Sequence, residues 1–317
     1  MNANFFFTRF AACLLLVSVL FSCEDDDVVV STSEGRFSLE LTDAPVDDPN
    51  VSAVFVTVAD VKLDGASVSG FSRTTVELSA LQNGVTEMIA NADVEAKAYN
   101  SVEIVLDDAN DATNSGGPGC YVLTADNAKV ALEVVGDGSL EAANSGFTIT
   151  QGGNLATVID FDLRKALVRT DDAARPYAFA AENRLESSLR FVERESTGTL
   201  SGSVTNNSGE DTEVVIYAYA ANTYTAAERE GDSDDELFLN AVASTRLSAS
   251  GDYEFNFLPA GNYELVAVAY EDEDGDGETA LKGSFVLNAF GSLSLSGVQV
   301  SAQASTTINL TLLSLLP

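Results

Sequence analysis

The chain has no histidine and no tryptophan, and only three cysteines and two methionines among its 317 residues. Lack of histidine removes the usual general base at neutral pH, the Ser-His and Cys-His nucleophile pairs and most zinc sites. Without tryptophan, a glycan-binding surface would have to stack sugars on the nine tyrosines or 17 phenylalanines. Enzymes built on carboxylates alone, such as glycosidases, survive both tests. Basic residues are scarce too: 16 stand against 49 acids, a formal charge of −33. Such a surface repels nucleic acid and anionic head groups, so neither DNA nor RNA is an expected partner. It attracts Ca²⁺ or polycations, and it equally suits a protein kept soluble in a salty medium.

The first cysteine lies within a stretch that reads as a targeting segment, and the second at its border. Arg9 is the sole charge in residues 1–22, and the apolar run from Ala11 to Phe21 is 11 residues long. A bilayer span needs about 20 residues, whereas this length suits the h-region of a secretory signal. The run ends in V-L-F-S-C-E-D-D-D, residues 19–27. Leu20-Phe21-Ser22-Cys23 resembles a bacterial lipobox, in which the signal is cut before the cysteine and the thiol takes a diacylglyceryl group. Phe21 is bulkier than the usual residue at its position. Glu24–Asp27 resemble the acidic export tag of surface-exposed Bacteroidota lipoproteins. The resemblance implies a signal peptide over 1–22, lipid on Cys23 and an acidic tether over 23–35. It implies a protein anchored to the membrane through that lipid, in the cell envelope, at the outer membrane and facing outward. Cys13 would leave with the signal and Cys120 would remain alone, so no internal disulfide is expected. The mature chain would keep 295 of the 317 residues and a charge of −34, enough for two domains.

Periodicity favours strands throughout. V-S-A-V-F-V-T-V-A-D-V-K-L-D, residues 51–64, is β-branched and apolar on both faces, as in a well-buried strand. Val102, Ile104 and Leu106 alternate with polar partners, and Gly146–Thr150 behaves similarly. In Ala156–Leu163, Ile159, Phe161 and Leu163 share one face, with Asp160 and Asp162 on the other. Leu78, Leu81, Val85 and Ile89 fall at helical spacing and predict one short helix over Leu78–Ala90, weakened by Gly84. The fold class read from this pattern is all-β: two β-sandwich-like domains, 36–194 and 195–317, with at most one or two short helices.

Four stretches recur in a known order: L-T-D-A-P-V-D (41–47), V-F-V-T-V-A-D-V-K-L-D-G (54–65), L-x-x-L-x-N-G-V (78–85) and V-I-D-F-D (158–162). Together they resemble the domain of unknown function 4382 of Bacteroidota lipoproteins, over about residues 35–193. That resemblance implies a β-rich extracellular module without established catalysis. In the remainder, G-D-Y-E-F-N-F-L-P-A-G-N-Y (251–263) reads as two strands joined by a Leu-Pro-Ala-Gly turn, with Tyr253, Phe255 and Phe257 alternating. This part resembles the transthyretin-like or carboxypeptidase-regulatory-like sandwich, which implies a spacer or interaction module. Ile308, Leu310 and Leu312 alternate in a closing strand over Ser305–Leu313.

Two sets of acids are candidate sites. In E-D-E-D-G-D-G-E, residues 271–278, Asp272, Asp274 and Asp276 with Gly277 match the first half of an EF-hand loop. The position for a bidentate glutamate falls on Gly283, so the same residues also read as a solvated turn between strands. A second acidic loop, 228–236, reads as an insertion or as a further contributor to the same cation site. Asp43, Asp160 and Asp162 form the only enzyme-like set in the first domain. Paired carboxylates can act as acid and base in glycoside hydrolysis, but nothing in the sequence places Asp43 beside the other two. Asp43, ahead of Ala44-Pro45, also reads as a turn former. The expected function is a non-enzymatic cell-envelope lipoprotein that binds or displays, needing no cofactor, with Ca²⁺ as a candidate stabiliser and a glycan or envelope protein as candidate partner. The alternative is a glycan-binding or carboxylate-based carbohydrate-active protein.

Overall fold

Apolar residues at every second position fix the first layer. Phe37, Leu39 and Leu41 of the Glu34–Thr42 strand are fully buried, while the residues between them are partly exposed. This strand pairs in parallel with Asn154–Phe161 and antiparallel with Glu87–Glu95, and Leu189–Glu193 closes a four-stranded sheet. It begins at Glu34, so Glu34 and Gly35 belong to the sheet rather than to a tether. The 13-residue Val51–Leu63 strand is the spine of a second, seven-stranded sheet, flanked by Val102–Leu106 and Tyr121–Thr124. Side chains of both sheets merge into one core, with Phe37, Leu39 and Leu41 in the same cluster as Val54, Val56 and Val58. The architecture is all-β and sandwich-like, with two short α-helices among the described residues, Leu163–Ala166 and Glu182–Ser187. The computed structural model describes residues 33–43, 48, 50–113, 116–230, 237–272, 279–288 and 294–317.

The expected helix over Leu78–Ala90 does not form. A single 3₁₀ turn, Leu78–Ala80, is followed by a tight turn and then by the Glu87–Glu95 strand. Asn83 and Gly84 take φ of 56° and 79°, a left-handed pair no α-helix accommodates. Leu78, Leu81 and Ile89 are buried as the spacing suggested, but Val85 stays 52% exposed. The apolar spacing was real; a turn, not a helix, satisfies it.

The second half is a nine-stranded sheet. Its main path runs Ala243–Arg246, Glu213–Ala220, Gly261–Glu271, Ala280–Leu287, Leu310–Leu316, Thr197–Asn206, Asp252–Pro259. The two strands at the ends of this path are neighbours in sequence, joined only by residues 247–251. Five residues reach less than about 20 Å, so the sheet must curl until its two edges meet. Leu200, Ile216, Phe255, Leu265, Phe285 and Leu312 fill the interior of the curl. Outside it, Tyr217, Phe238, Val266 and Val268 form a smaller cluster, so Glu213–Ala220 is buried on both faces.

Two alternations break. Phe257 does not continue the Tyr253 and Phe255 face: its φ is 52°, and the pairing with Thr197–Asn206 slips there, from Leu200 opposite Phe255 to Gly198 opposite Leu258. This is a β-bulge. The closing strand splits into Ser305–Thr307 and Leu310–Leu316 around Ile308 and Asn309. Cys120 sits one residue before Tyr121–Thr124, fully buried with its Sγ 3.7 Å from the Asp107 carbonyl. Burial pushes its thiol up to about 12, and the thiol, unlike the thiolate, is a poor nucleophile. In the native chain at pH 8 the Cys120 peptide should therefore resist iodoacetamide for as long as the denatured chain takes to label fully, as read by peptide mass spectrometry.

Candidate functional site

Three of the stretches that carry the family resemblance come together at one end of the first sheet. Parallel pairing sets Thr42 opposite Asp160, which brings Asp43 to the start of the Leu163–Ala166 helix, where its carboxylate accepts the Leu163 N–H at 3.2 Å. The Asp43 N–H donates to the Leu81 carbonyl at 3.2 Å. The Thr42 hydroxyl lies 2.9 Å from both the Leu81 and Val85 carbonyl oxygens. Between those carbonyls is the turn Gln82-Asn83-Gly84-Val85, closed by the Val85 N–H on the Gln82 carbonyl. Positive φ at both central residues fits a type I′ turn, for which Asn-Gly is the favoured pair.

Asp43, Asp160 and Asp162 thus share one region, each only 5–6% exposed. They do not form an acid–base pair. The single strand face expected for Asp160 and Asp162 is corrected: the strand ends at Phe161, and Asp162 occupies the N-cap position of the following helix. Asp160 and Asp162 instead face separate cations. Asp160 accepts from Arg190 at 2.5 Å, and Arg190 also donates to the Phe257 carbonyl at 2.6 Å. Asp162 pairs with Arg164 at 2.9 Å and Lys165 at 3.5 Å. Arg164 donates to the Phe238 carbonyl at 2.8 Å, and Lys165 to that of Ala241 at 2.9 Å. Burial alone would raise the Asp162 carboxyl; Arg164 and Lys165 outweigh it and hold it below the ordinary carboxylate value.

These contacts form a seam in which first-half acids orient cations that grip second-half carbonyls. Two of the gripped carbonyls belong to strained residues: Phe238 and Phe257 have φ of 56° and 52°. Left-handed backbone at a bulky residue costs roughly 1–2 kcal/mol and persists where surrounding contacts over-determine it. The cations Arg164, Lys165 and Arg190 were missed in the sequence. A signal existed only for the first two, which follow Asp162 within one helical turn; Arg190 meets Asp160 through antiparallel register.

The Asn-Gly turn abuts the second half where its sheet edges part. A Cβ on Gly84 would lie 2.8 Å from the Asn256 side chain. At the 247–251 link, the Ser248 N–H still bonds the Asp252 carbonyl at 2.8 Å. Beyond it Ala243–Arg246 and Asp252–Pro259 diverge, and a cleft of about 690 Å³ opens between them, with Gln82 and Asn83 on one side. A smaller pocket of about 40 Å³ lies by Asp160 and Ser244, both buried, whose Oδ1 and Oγ have no hydrogen-bond partner among the described residues.

Of the other expected site residues, Cys23, Asp274 and Asp276 lie outside the described residues. Asp272 follows the Gly261–Glu271 strand, which pairs antiparallel with Ala280–Leu287, so residues 272–279 connect two adjacent strands. Glu271, at the base of that connection, is bound by Lys282 at 2.6 Å. Among the described residues no group of three or more acids or cysteines is arranged to hold a metal ion, and no helix is long and apolar enough to cross a membrane.

No curated protein matches the chain in sequence. Among solved structures, it is similar to a Pseudomonas aeruginosa protein whose carbohydrate-binding role is itself provisional, at 17% identity and a TM-score of 0.21, over 37% of this chain and 90% of that one. It is also similar to the minor pilin of Streptococcus agalactiae, at 10% identity and a TM-score of 0.23, over 89% of this chain and 97% of that one. The major pilin subunit of Bacillus cereus gives 10% identity and a TM-score of 0.21, over 88% and 70%. Likenesses this distant carry no functional argument. The family match is more specific and agrees with the motifs gathered at the seam: residues 34–179 match the model of the Domain of unknown function (DUF4382) family.

Proposed function

We propose that this protein is a non-enzymatic binding and display module of the cell envelope, held by lipid on Cys23 and turned outward at the outer membrane. The observation that carries the non-enzymatic reading is the fate of the carboxylates. Asp160 and Asp162, the one pair with the chemistry of a hydrolase, are each buried against a cation that also holds the second half. A general acid or base must reach its substrate proton, and these would first have to abandon their ion pairs. The second half is read as a transthyretin-like sandwich, which its curled sheet and its Y-x-F-x-x-L-P-A-G-x-Y stretch support.

The experiment is fractionation of cells expressing the full chain, after feeding an alkyne fatty acid. The native chain should carry the label and sediment with outer membranes. Cys23→Ser should lose the label and appear in soluble fractions. A native chain that stays soluble and unlabelled would overturn the reading. Glycan recognition is a second reading, favoured by the amide and hydroxyl lining of the cleft beside the seam.

A further inference from the structure

We infer that the cleft between the parted edge strands is a binding site for an uncharged oligosaccharide. At about 690 Å³ it falls within the 300–1,000 Å³ of small-molecule sites and lies, as such sites often do, where two parts of a fold meet. Its wall is not that of an apolar pocket. Gln82, Asn83 and Asn309 present amides, and Ser201, Ser203 and Thr307 hydroxyls. Amides and hydroxyls each offer both donors and acceptors, which matches the vicinal hydroxyls of a sugar.

Several of these groups are held before any ligand arrives. Asn309 Oδ1 accepts both the N–H and the hydroxyl of Ser203 at 3.1 Å. Ser250 donates to Asp252 at 2.7 Å at the end of the cleft, and the Asn-Gly turn fixes Asn83. Groups already ordered lose little entropy on binding. Charge selects among sugars. Asp252 and Glu254 line the cleft, while Arg246, its one cation, is paired with Glu213 at 2.7 Å. An acidic glycan would meet this wall under a chain charge of −33. Tyr253, the only aromatic in the lining, is 3% exposed with its hydroxyl on the Ile308 carbonyl. No ring is offered for stacking, so hydrogen bonds carry the recognition and the affinity is modest.

This inference rests on the reading of the chain as a binding module, but its test is independent of anchoring, which the Cys23 fractionation decides separately. The full chain in detergent micelles would be titrated by saturation-transfer NMR with neutral cello-, xylo-, manno-, malto- and laminari-oligosaccharides. Oligogalacturonate and an uncharged hexapeptide serve as contrasts. The companion is the double variant Gln82→Ala, Asn83→Gly, which removes both amides yet keeps a glycine where the turn needs positive φ. At least one neutral series should give a saturable signal that the double variant weakens about tenfold, the loss of two neutral hydrogen bonds, with its melting temperature unchanged. Silence across the neutral panel, preference for the acidic glycan or the peptide, or undiminished binding by the double variant would each overturn the assignment.

Discussion

Asp162→Ala should lower the stability of the chain by about 3–5 kcal/mol, the usual consequence of removing one partner from a buried ion pair. Arg164 and Asp162 are each only 7% exposed at the side chain, and Lys165 13%. With the carboxylate gone, two buried cations lose the counter-charge they touch, still tied to the Phe238 and Ala241 carbonyls. The measurement is urea denaturation followed by circular dichroism. Asp162→Asn separates charge from shape, because it keeps the volume and loses the negative charge; it should recover only a minor part. The sign of the pH dependence follows from the lowered carboxyl. A group whose folded value lies below its unfolded value contributes fully above the unfolded value, and that contribution disappears as pH falls through the folded one. The native chain should hold its seam down to about pH 4 and weaken below it, whereas Asp162→Ala should lose that part of its acid sensitivity. A variant as stable as the native chain would mean that the seam does not depend on this charge.

Gly84→Val should cost about 2–3 kcal/mol by a different route. At φ of 79° a β-branched residue is strained by roughly 1–2 kcal/mol, and its Cβ must displace the Asn256 side chain from 2.8 Å away. Two companions divide the causes. Gly84→Asn tolerates the left-handed backbone but keeps the clash, so it should retain part of the loss. Gly84→Ala combined with Asn256→Gly removes the clash and keeps a smaller strain. Hydrogen exchange gives the local readout: the Asp43 N–H, which bonds the Leu81 carbonyl, should lose protection in Gly84→Val before the fully buried Leu39 does.

Much of the strand pattern was legible because alternation is a local signal. Val102, Ile104 and Leu106 are buried as read, and Tyr253 and Phe255 follow their alternation until the bulge at Phe257. The error over Leu78–Ala90 has a specific origin. The helical period runs through an Asn-Gly pair, and that pair favours the type I′ turn more strongly than four apolar residues favour a helix. The candidate acids were located but their role was not. Asp43 meets the start of the Leu163–Ala166 helix through parallel register, and Asp160 meets Arg190 through antiparallel register. Neither pairing leaves a mark within any short window. Nor could the sequence reveal that Arg164 and Arg190 hold carbonyls of residues strained into left-handed backbone, because that fit appears only when both halves are assembled.

The parallel pairing of the first strand also bears on the order of events during synthesis of the chain. Leu41 is among the earliest described residues to be synthesised, yet its neighbour Ile159 follows far later. Non-local pairings of this kind are reached slowly. The early strand therefore travels with an open edge, which is a hazard for association between chains. Its antiparallel partner Glu87–Glu95 shields one side first. The other side stays uncovered until Asn154–Phe161 has been synthesised, so a chaperone able to cover a bare strand edge would act over that interval.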